Sequence, residues 1–217
     1  MPQPRGQRTT IPATGRYRRP VDLSPWWPDD LPTDLRDRLL AAYDDPGRGY
    51  HDRLHLAEML GHLDTIAGDR DDLPLLRLAA WFHDAVYAGA GDDEEQSALL
   101  AERELTTAGL PAADVAEVAR LVRLTARHRP APDDEPGLLL CDADLAILAA
   151  GAERYATYVA GVRAEYASVP DADFRAGRRA VLVDLLDKPE LFGTVAARER
   201  WETAARANLR AEIAALS

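Results

Sequence analysis

Leucine and alanine recur at helical spacing over most of the chain, and no segment alternates apolar and polar residues over a useful length. Glycine and proline interrupt this pattern at intervals and mark the ends of the periodic segments. The pattern therefore predicts an all-α fold, a compact multi-helix bundle. The predicted helices cover residues 33–44, 51–67, 74–88, 92–108, 112–128, 138–149, 151–167, 171–187 and 194–215.

Two adjacent tryptophans, Trp26 and Trp27, stand before the first predicted helix and are flanked by prolines. Proline does not continue a helix, so this short segment is expected to run along the surface of the bundle. We expect it to lay aromatic surface on the helical body.

The first twenty residues differ in charge from the rest of the chain. They hold five arginines and no acid, with several glycines, prolines and threonines, so we predict a disordered basic tail over residues 1–20. An anion-binding arm is the alternative. Residues 21–217 are expected to form one helical domain, which carries 21 basic against 37 acidic residues. Such a body should repel the phosphates of a nucleic-acid polymer.

The overall composition fits one well-cored domain, since 217 residues contain 47% hydrophobic and 29% charged residues. A single cysteine, Cys141, excludes an intramolecular disulfide. No amino-terminal segment has the apolar core of a signal peptide or of a membrane span. We therefore expect a cytoplasmic protein without a membrane partner, and the sequence leaves its oligomeric state open.

An adjacent imidazole and carboxylate, His83 and Asp84, stand in the apolar helical segment 79–87. Burying both groups costs several kcal/mol unless they are paired, and a divalent cation would satisfy both at once. A second dipeptide of this kind, His51–Asp52, has no histidine before it. A site ordered as His, His-Asp and Asp can therefore use only His83 and Asp84.

A third ligand is expected from the preceding helix. At about 100° per residue His55 lies at the edge of an apolar stripe, and His62 and His51 fall progressively further from its centre. A helix cap at His51 and a solvated His62 are the structural alternatives for these two residues. The stripe itself consists of Leu56, Met59, Leu60, Leu63 and Ile66.

Asp142 or Asp144, inside the apolar run 138–148, supplies the fourth expected ligand. Acids within such a run require a reason, and capping a buried helix start is one of them. We assign one acid to a cap or an orienting role and the other to the metal. Asp142 is preferred as the ligand because it lies nearer the helix start, which leaves Asp144 to orient it.

The order His55, His83–Asp84, Asp142 or Asp144 resembles the HD superfamily of metal-dependent phosphohydrolases. More narrowly, the chain resembles a small bacterial group of predicted metal-dependent HD phosphohydrolases over about residues 21–215. The shared segments are Tyr50 to His55, Trp81 to Tyr87, Glu94 to Ala98, and Asp142 to Leu145. This resemblance implies an HD-domain bundle around a buried metal site and hydrolysis of a phosphate ester.

The expected chemistry follows from the ligand types. Mixed imidazole and carboxylate ligands suit Mn, Fe, Co, Ni or Zn better than Mg. Such an ion lowers the pKa of a bound water and neutralises a phosphoryl oxygen. Asp84 could also accept the proton of that water, and Glu94 or Glu95, one loop later, offers a general acid or base. We favour Glu94, and the alternative for both is a favourable acidic helix start.

Candidate substrate-binding residues are His51, His128 and Arg178. His128 ends a predicted helix, so it is either a favourable cation there or a pocket residue that binds phosphate or a second metal. Guanidinium groups bind phosphate bidentately, and Arg178 is preferred because Gly177–Arg178 matches a segment of the resembling group. The full set of candidate phosphate clamps is Arg127, Arg129, Arg163, Arg178 and Arg179.

Three functions are consistent with these features. The first is a metal-dependent phosphohydrolase, a phosphomonoesterase or phosphodiesterase acting on a small phosphate ester such as a nucleotide. The second is a metal-containing HD-fold protein that binds or regulates without turnover. The third, a di-iron oxygenase, ranks lowest because it needs further histidines before the last Asp, where only His128 is available.

Overall fold

Nine α-helices, α1 to α9, make up most of residues 21–89 and 91–216, the part of the chain that this computed structural model describes. Two short 3-10 helices, Ser24–Trp26 and Ala146–Ala149, complete the architecture, and these residues form no strand. The all-α prediction is therefore confirmed, while the predicted tail lies outside the described residues. The α-helices are Thr33–Tyr43, Arg53–Ile66, Leu73–Phe82, Asp93–Thr107, Ala112–Thr125, Glu135–Leu145, Ala152–Glu165, Asp171–Leu186 and Val195–Ala215.

Helix α2 lies at the centre of the arrangement that positions the candidate site. It packs against α3 and α6, while α3 also packs against α5. Its predicted stripe, from Leu56 to Ile66, is buried, and His55 is buried with it. The Asp52 carboxylate caps the helix by accepting the backbone N–H groups of Leu54 and His55. The cap therefore fixes the helix start at Arg53, two residues before the first candidate ligand.

The tryptophan segment packs on this body as predicted. Trp27 is buried edge-on against Trp81, with ring centroids 5.0 Å apart. The Trp81 indole N–H donates to the carbonyl of Trp26 at 3.3 Å, and the Trp26 indole N–H donates to Asp64 at 2.7 Å. The segment thereby covers the apolar face of α3.

Helix α3 ends at Phe82, six residues earlier than its periodicity predicts. Carbonyl groups near its end are bound by side chains instead of by a further helical turn. His83 Nδ1 lies 2.7 Å from the carbonyl of Ala80, and the Arg48 guanidinium donates to the carbonyls of Asp84 and Ala85. His83 and Asp84 therefore lie in a turn after the helix, not on its side.

Helix α6 begins earlier than predicted, at Glu135, and ends at Leu145 before the 3-10 helix. Pro136 and Gly137 predict an interruption, but proline is accommodated in the first turn of a helix. The Asp134 carboxylate caps this start by accepting the N–H of Gly137 at 3.1 Å. In the described ranges no helix is long and apolar enough to cross a membrane.

Candidate metal centre

Four donor atoms from three parts of the chain converge in the interior: His55 Nε2, His83 Nε2, Asp84 Oδ2 and Asp144 Oδ1. We refer to them as the donor cluster. The two imidazole nitrogens are 3.0 Å apart, and Asp84 Oδ2 lies 3.0 Å from His83 and 3.6 Å from His55. Asp144 Oδ1 lies 3.2 Å from His55 and 3.9 Å from His83. His55, His83 and Asp144 form a group that could hold a metal ion.

The turn that carries His83 and Asp84 is held by residues around the end of α1. The Tyr43 hydroxyl donates to the carbonyl of Trp81 and accepts the backbone N–H of Asp84, both at 3.3 Å. Arg48 binds the carbonyl of Asp84 at 2.7 Å and lies over the ring of Tyr43. These contacts hold the backbone of the turn that carries both donor side chains.

The hydrogen bonds around the donor cluster leave two of its atoms directed inward. A carbonyl only accepts, so the 2.7 Å contact to Ala80 places a proton on His83 Nδ1 and leaves Nε2 of the neutral ring with a lone pair. Asp84 Oδ2 is buried and makes no well-aligned hydrogen bond among the described residues, although His83 Nε2 lies 3.0 Å away. Such an atom is costly in a protein interior unless a cation or a ligand satisfies it. This donor set fits a divalent transition metal.

Charge in the cluster is balanced by protons when no ion is bound. Burial disfavours the charged form of His83, but the carboxylates of Asp84 and Asp144 outweigh it and raise the pKa of His83 to about 9. Burial also opposes ionisation of Asp84, yet the nearby imidazoles hold its pKa well below the ordinary value. A divalent cation could replace these protons as the balancing charge.

Comparisons with protein-family models, with curated proteins and with solved structures found no match to this chain. The resemblance to HD phosphohydrolases therefore rests on the sequence motifs, and function has to be argued from the site.

The structure reverses the sequence-based preference between the two acids of α6. Asp144 contributes to the donor cluster, whereas the Asp142 carboxylate accepts the backbone N–H groups of Gly193 and Thr194 at 2.7 and 2.8 Å. It also accepts the Thr194 hydroxyl at 2.7 Å. Residues two apart on a helix point about 200° apart, so Asp142 and Asp144 cannot both face the cluster. Asp142 instead binds the backbone at the start of α9.

His128 orients the acid that does face the cluster. Its Nε2 lies 2.7 Å from Asp144 Oδ2, which leaves Oδ1 of the same carboxylate directed at the histidines. The prediction that His128 ends a helix is wrong, since α5 ends at Thr125 and His128 has a positive φ of 47°. Its role in the geometry is to hold a donor residue, as outer partners of metal ligands do.

His51 lies beside the cluster and does not cap α2. Its ring centroid is 5.6 Å from that of His55, and its ring stacks on Tyr87 at 4.5 Å. Its Nδ1 lies 2.8 Å from the Glu165 carboxylate. Burial lowers the pKa of His51, but the charges of Asp84 and Glu165 outweigh burial and raise it.

Glu165 is a residue of this region that sequence reasoning missed. One of its oxygens accepts the backbone N–H groups of Gly49, Tyr50 and His51 at 2.8 to 2.9 Å, and the other accepts the Tyr87 hydroxyl at 3.0 Å. Burial opposes its charge, but these bonds and His51 lower the pKa of Glu165 to about 2. No local pattern marks this acid, which comes at the end of α7 more than a hundred residues after the segment it holds.

The two glutamates of the acidic run lie in the first turn of α4, as the structural alternative predicts. Exposed Glu95 is paired with Arg123 at 2.8 Å, which leaves Glu94, the favoured one of the two alternatives, as the candidate. Half-buried Glu94 makes no side-chain hydrogen bond to another described residue. Its predicted catalytic role stays a prediction.

Arg178, the preferred phosphate clamp, is not brought to the donor cluster. Its guanidinium binds the buried Glu212 carboxylate at 2.8 Å and the Tyr158 hydroxyl at 2.7 Å. The remaining candidate arginines also serve other contacts or lie exposed: Arg129 binds Asp184, Arg163 binds the carbonyls of Tyr166 and Val169, and Arg127 and Arg179 are on the surface.

Two further features lie near the site but outside the donor cluster. His62 is half-buried with its ring against Trp201 at 5.1 Å, so it is not the solvated side chain that the pattern predicts. A cavity of about 450 Å³ borders His128 and the face of α6 that carries Cys141 and Asp142. Burial and the nearby acids raise the pKa of Cys141 far above neutrality, so its thiol is protonated and unreactive.

Proposed function

We propose that this protein is a metal-dependent phosphohydrolase of the HD type, acting on a small phosphate ester such as a nucleotide. The observation that carries the proposal is the convergence of donor atoms from His55, His83 and Asp144, with Asp84 Oδ2 beside the two imidazoles. A divalent transition metal held there would lower the pKa of a coordinated water and neutralise phosphoryl charge. A cytoplasmic location is part of the same proposal.

The separations of the donor atoms support a shared ion. Adjacent ligands of a six-coordinate ion with bonds of about 2.1 Å lie roughly 3.0 Å apart. The donor atoms of His55, His83 and Asp144 lie 3.0, 3.2 and 3.9 Å apart, and Asp84 Oδ2 lies 3.0 and 3.6 Å from the two imidazole nitrogens. Four protein ligands leave room on such an ion for two others, which water and a phosphoryl oxygen can supply. Imidazole and carboxylate together favour Mn, Fe, Co, Ni or Zn.

The residues around the cluster keep its donors in place. His128 holds the outer oxygen of Asp144, while Tyr43 and Arg48 hold the turn of His83 and Asp84. Outer partners of this kind fix the orientation of ligands and raise metal affinity. The excess of acids over bases in residues 21–217 argues for a small substrate and against a nucleic-acid polymer.

A binding or regulatory protein without turnover is the second candidate. It is favoured by two observations, since Glu95 is engaged by Arg123 and Arg178 by Glu212. Neither of these two predicted functional side chains reaches the cluster. On this alternative the same four ligands hold the metal as a structural element.

Metal content and turnover decide between the two candidates. The purified chain, loaded with Mn or Co, is assayed against a broad panel of phosphorylated metabolites, with chelated protein as the blank. We expect hydrolysis that chelators abolish, and loss of bound metal in His83→Ala and Asp84→Ala. Full metal loading without turnover on any ester supports the binding protein, and unchanged metal in both variants refutes the site.

A matched pair of variants tests the acidic run. If Glu94 transfers a proton, Glu94→Gln should lower turnover by about 10² or more at unchanged metal content. Glu95→Gln is the control, because its carboxylate is exposed and paired with Arg123. Equal activity of the two variants would end the catalytic assignment of Glu94 and leave the metal site standing.

A further inference from the structure

The Tyr50 hydroxyl is a buried polar group without a described partner. The residue is 5% exposed, and its hydroxyl forms no hydrogen bond with any other residue that the structure describes. Nearly all buried polar side-chain atoms have a partner, so an orphaned hydroxyl points to a ligand or to a function.

This hydroxyl belongs to the surroundings of the donor cluster. The Tyr50 ring centroid lies 4.7 Å from that of His55 and 4.6 Å from that of Tyr158. A phenol hydroxyl is protonated at neutral pH, so it can donate a hydrogen bond.

The backbone around Tyr50 is held by a close backbone contact and by hydrogen bonds. A Cβ added at Gly49 would lie 2.2 Å from the carbonyl oxygen of Gly161, and one added at Gly161 would lie 2.5 Å from the carbonyl oxygen of Gly49. The segments that carry Gly49 and Gly161 therefore touch backbone to backbone, which only glycine permits. Glu165 adds hydrogen bonds to the N–H groups of Gly49 and Tyr50 at 2.9 and 2.8 Å.

A cation lies on the other side of the ring. The Arg154 guanidinium is 5.6 Å from the Tyr50 ring centroid and is itself held by Glu58 through two hydrogen bonds of 2.6 Å. Glu58 balances this charge, so the ion of the proposed function would supply the positive charge that holds an anion beside the hydroxyl. The buried position of the hydroxyl and its free donor suit an oxyanion on that ion.

We propose that the Tyr50 hydroxyl donates a hydrogen bond that positions a phosphoryl oxygen of the substrate bound beside the donor cluster. The proposal rests on the proposed phosphohydrolase function and adds a specific contact to it. It identifies the ligand as an anion with tetrahedral oxygens, and inorganic phosphate is the simplest probe of that chemistry.

The test compares Tyr50→Phe with Tyr155→Phe. Tyr155 is also buried, but its hydroxyl already donates to Glu212. Inorganic phosphate is titrated calorimetrically into the manganese-loaded full chain, and melting temperatures are measured in parallel. We expect Tyr50→Phe to weaken phosphate binding about tenfold, to leave manganese affinity unchanged and to melt at the same or a higher temperature. Tyr155→Phe should bind phosphate as the parent does and melt lower.

The outcomes separate this inference from the function on which it rests. If the parent binds manganese and phosphate but Tyr50→Phe binds phosphate equally well, the positioning role is refuted and the function survives. If Tyr50→Phe instead loses manganese, the residue supports the metal ligands and the proposal is wrong. If the metal-loaded parent binds no phosphate, the proposed function and the role of Tyr50 both fail.

Discussion

Asp142→Asn and Asp144→Asn form a matched pair of perturbations. Both changes are isosteric, both remove one carboxylate charge, and the residues stand two positions apart on α6. Only Asp144 points at the donor cluster, while Asp142 points at the start of α9. Comparing the two variants therefore tests which acid binds the metal, because both lie on the same helix and both lose the same charge.

The expected effect on metal binding is large for one variant and absent for the other. Replacing a residue that only orients a ligand typically costs 10- to 100-fold in metal affinity. Asp144 is a proposed ligand, and an amide oxygen there lacks the charge that a divalent ion attracts. We therefore expect Asp144→Asn to lose more than about 100-fold in affinity and Asp142→Asn to bind as the parent does.

The stability of the metal-free variants should fall in both cases. The Asp142 carboxylate accepts the N–H groups of Gly193 and Thr194 through different oxygens, and an amide can accept only one of them. The lost bond costs about 1–3 kcal/mol, and because burial raises the pKa of Asp142, removing its charge offsets part of that cost. A net loss of roughly 1–2 kcal/mol lowers the melting temperature by about 2–8 °C for a chain of this size.

Asp144→Asn should lose more. Burial opposes the charge of Asp144, but hydrogen bonds with His128 at 2.7 Å and His55 at 3.2 Å outweigh burial and hold its pKa well below the ordinary value, so removing the charge adds to the cost. Metal affinity is therefore compared at a temperature at which melting in chelator shows both variants to be folded.

Metal affinity is measured by calorimetric titration of chelated protein with Mn, and stability by thermal melting in chelator. Circular dichroism checks that both variants keep the helical content of the parent. The reasoning is refuted if Asp142→Asn loses as much affinity as Asp144→Asn, or if Asp144→Asn keeps the affinity of the parent.

Two further predictions concern residues around the site. The pKa of Glu165 is lowered to about 2, so its stabilising contribution is full above about pH 4.5 and is lost as the pH falls through 2. The parent should therefore lose more stability than Glu165→Gln when the pH falls from 6 to 3. The expected difference in the free energy of unfolding, measured by denaturant titration, is about 1–2 kcal/mol after allowance for solvent screening. An equal loss in both proteins would contradict this. Arg178→Leu should keep its metal and its phosphate affinity but lose about 3 kcal/mol of stability, because Glu212 is left buried without a cation. Weakened phosphate binding with normal melting would restore Arg178 as a clamp.

Helical periodicity predicts most of the fold because burial of one face is a local property of the sequence. The stripe of α2 is apolar at the positions that α3 and α6 cover, so the buried location of His55 can be read from spacing alone. The end of α3 cannot be predicted from the spacing, because apolar residues continue to Tyr87. The helix stops at Phe82 where Arg48 and Tyr43 bind backbone groups of the next turn, and both come from distant parts of the sequence.

The choice between Asp142 and Asp144 shows a second limit of the sequence. Their angular separation on a helix predicts that only one can face the cluster, but not which one. That depends on the rotation of α6 against α2 and on the presence of the α9 start beside Asp142. Glu165 is also beyond local prediction, because its partners Gly49, Tyr50, His51 and Tyr87 lie 78 to 116 residues earlier.

His128 shows that stability is given up to orient the cluster. An L residue at φ 47° costs about 1 kcal/mol or more relative to glycine, which commonly occupies such positions after helices. A histidine here makes the 2.7 Å contact with Asp144 that a glycine could not make. His128 is strained beside the half-buried Asp144, and in the same region Asp84 Oδ2 and the Tyr50 hydroxyl are buried without a well-aligned hydrogen bond. Packing alone accounts for none of the three, whereas a bound ion with a phosphoryl ligand would use all of them.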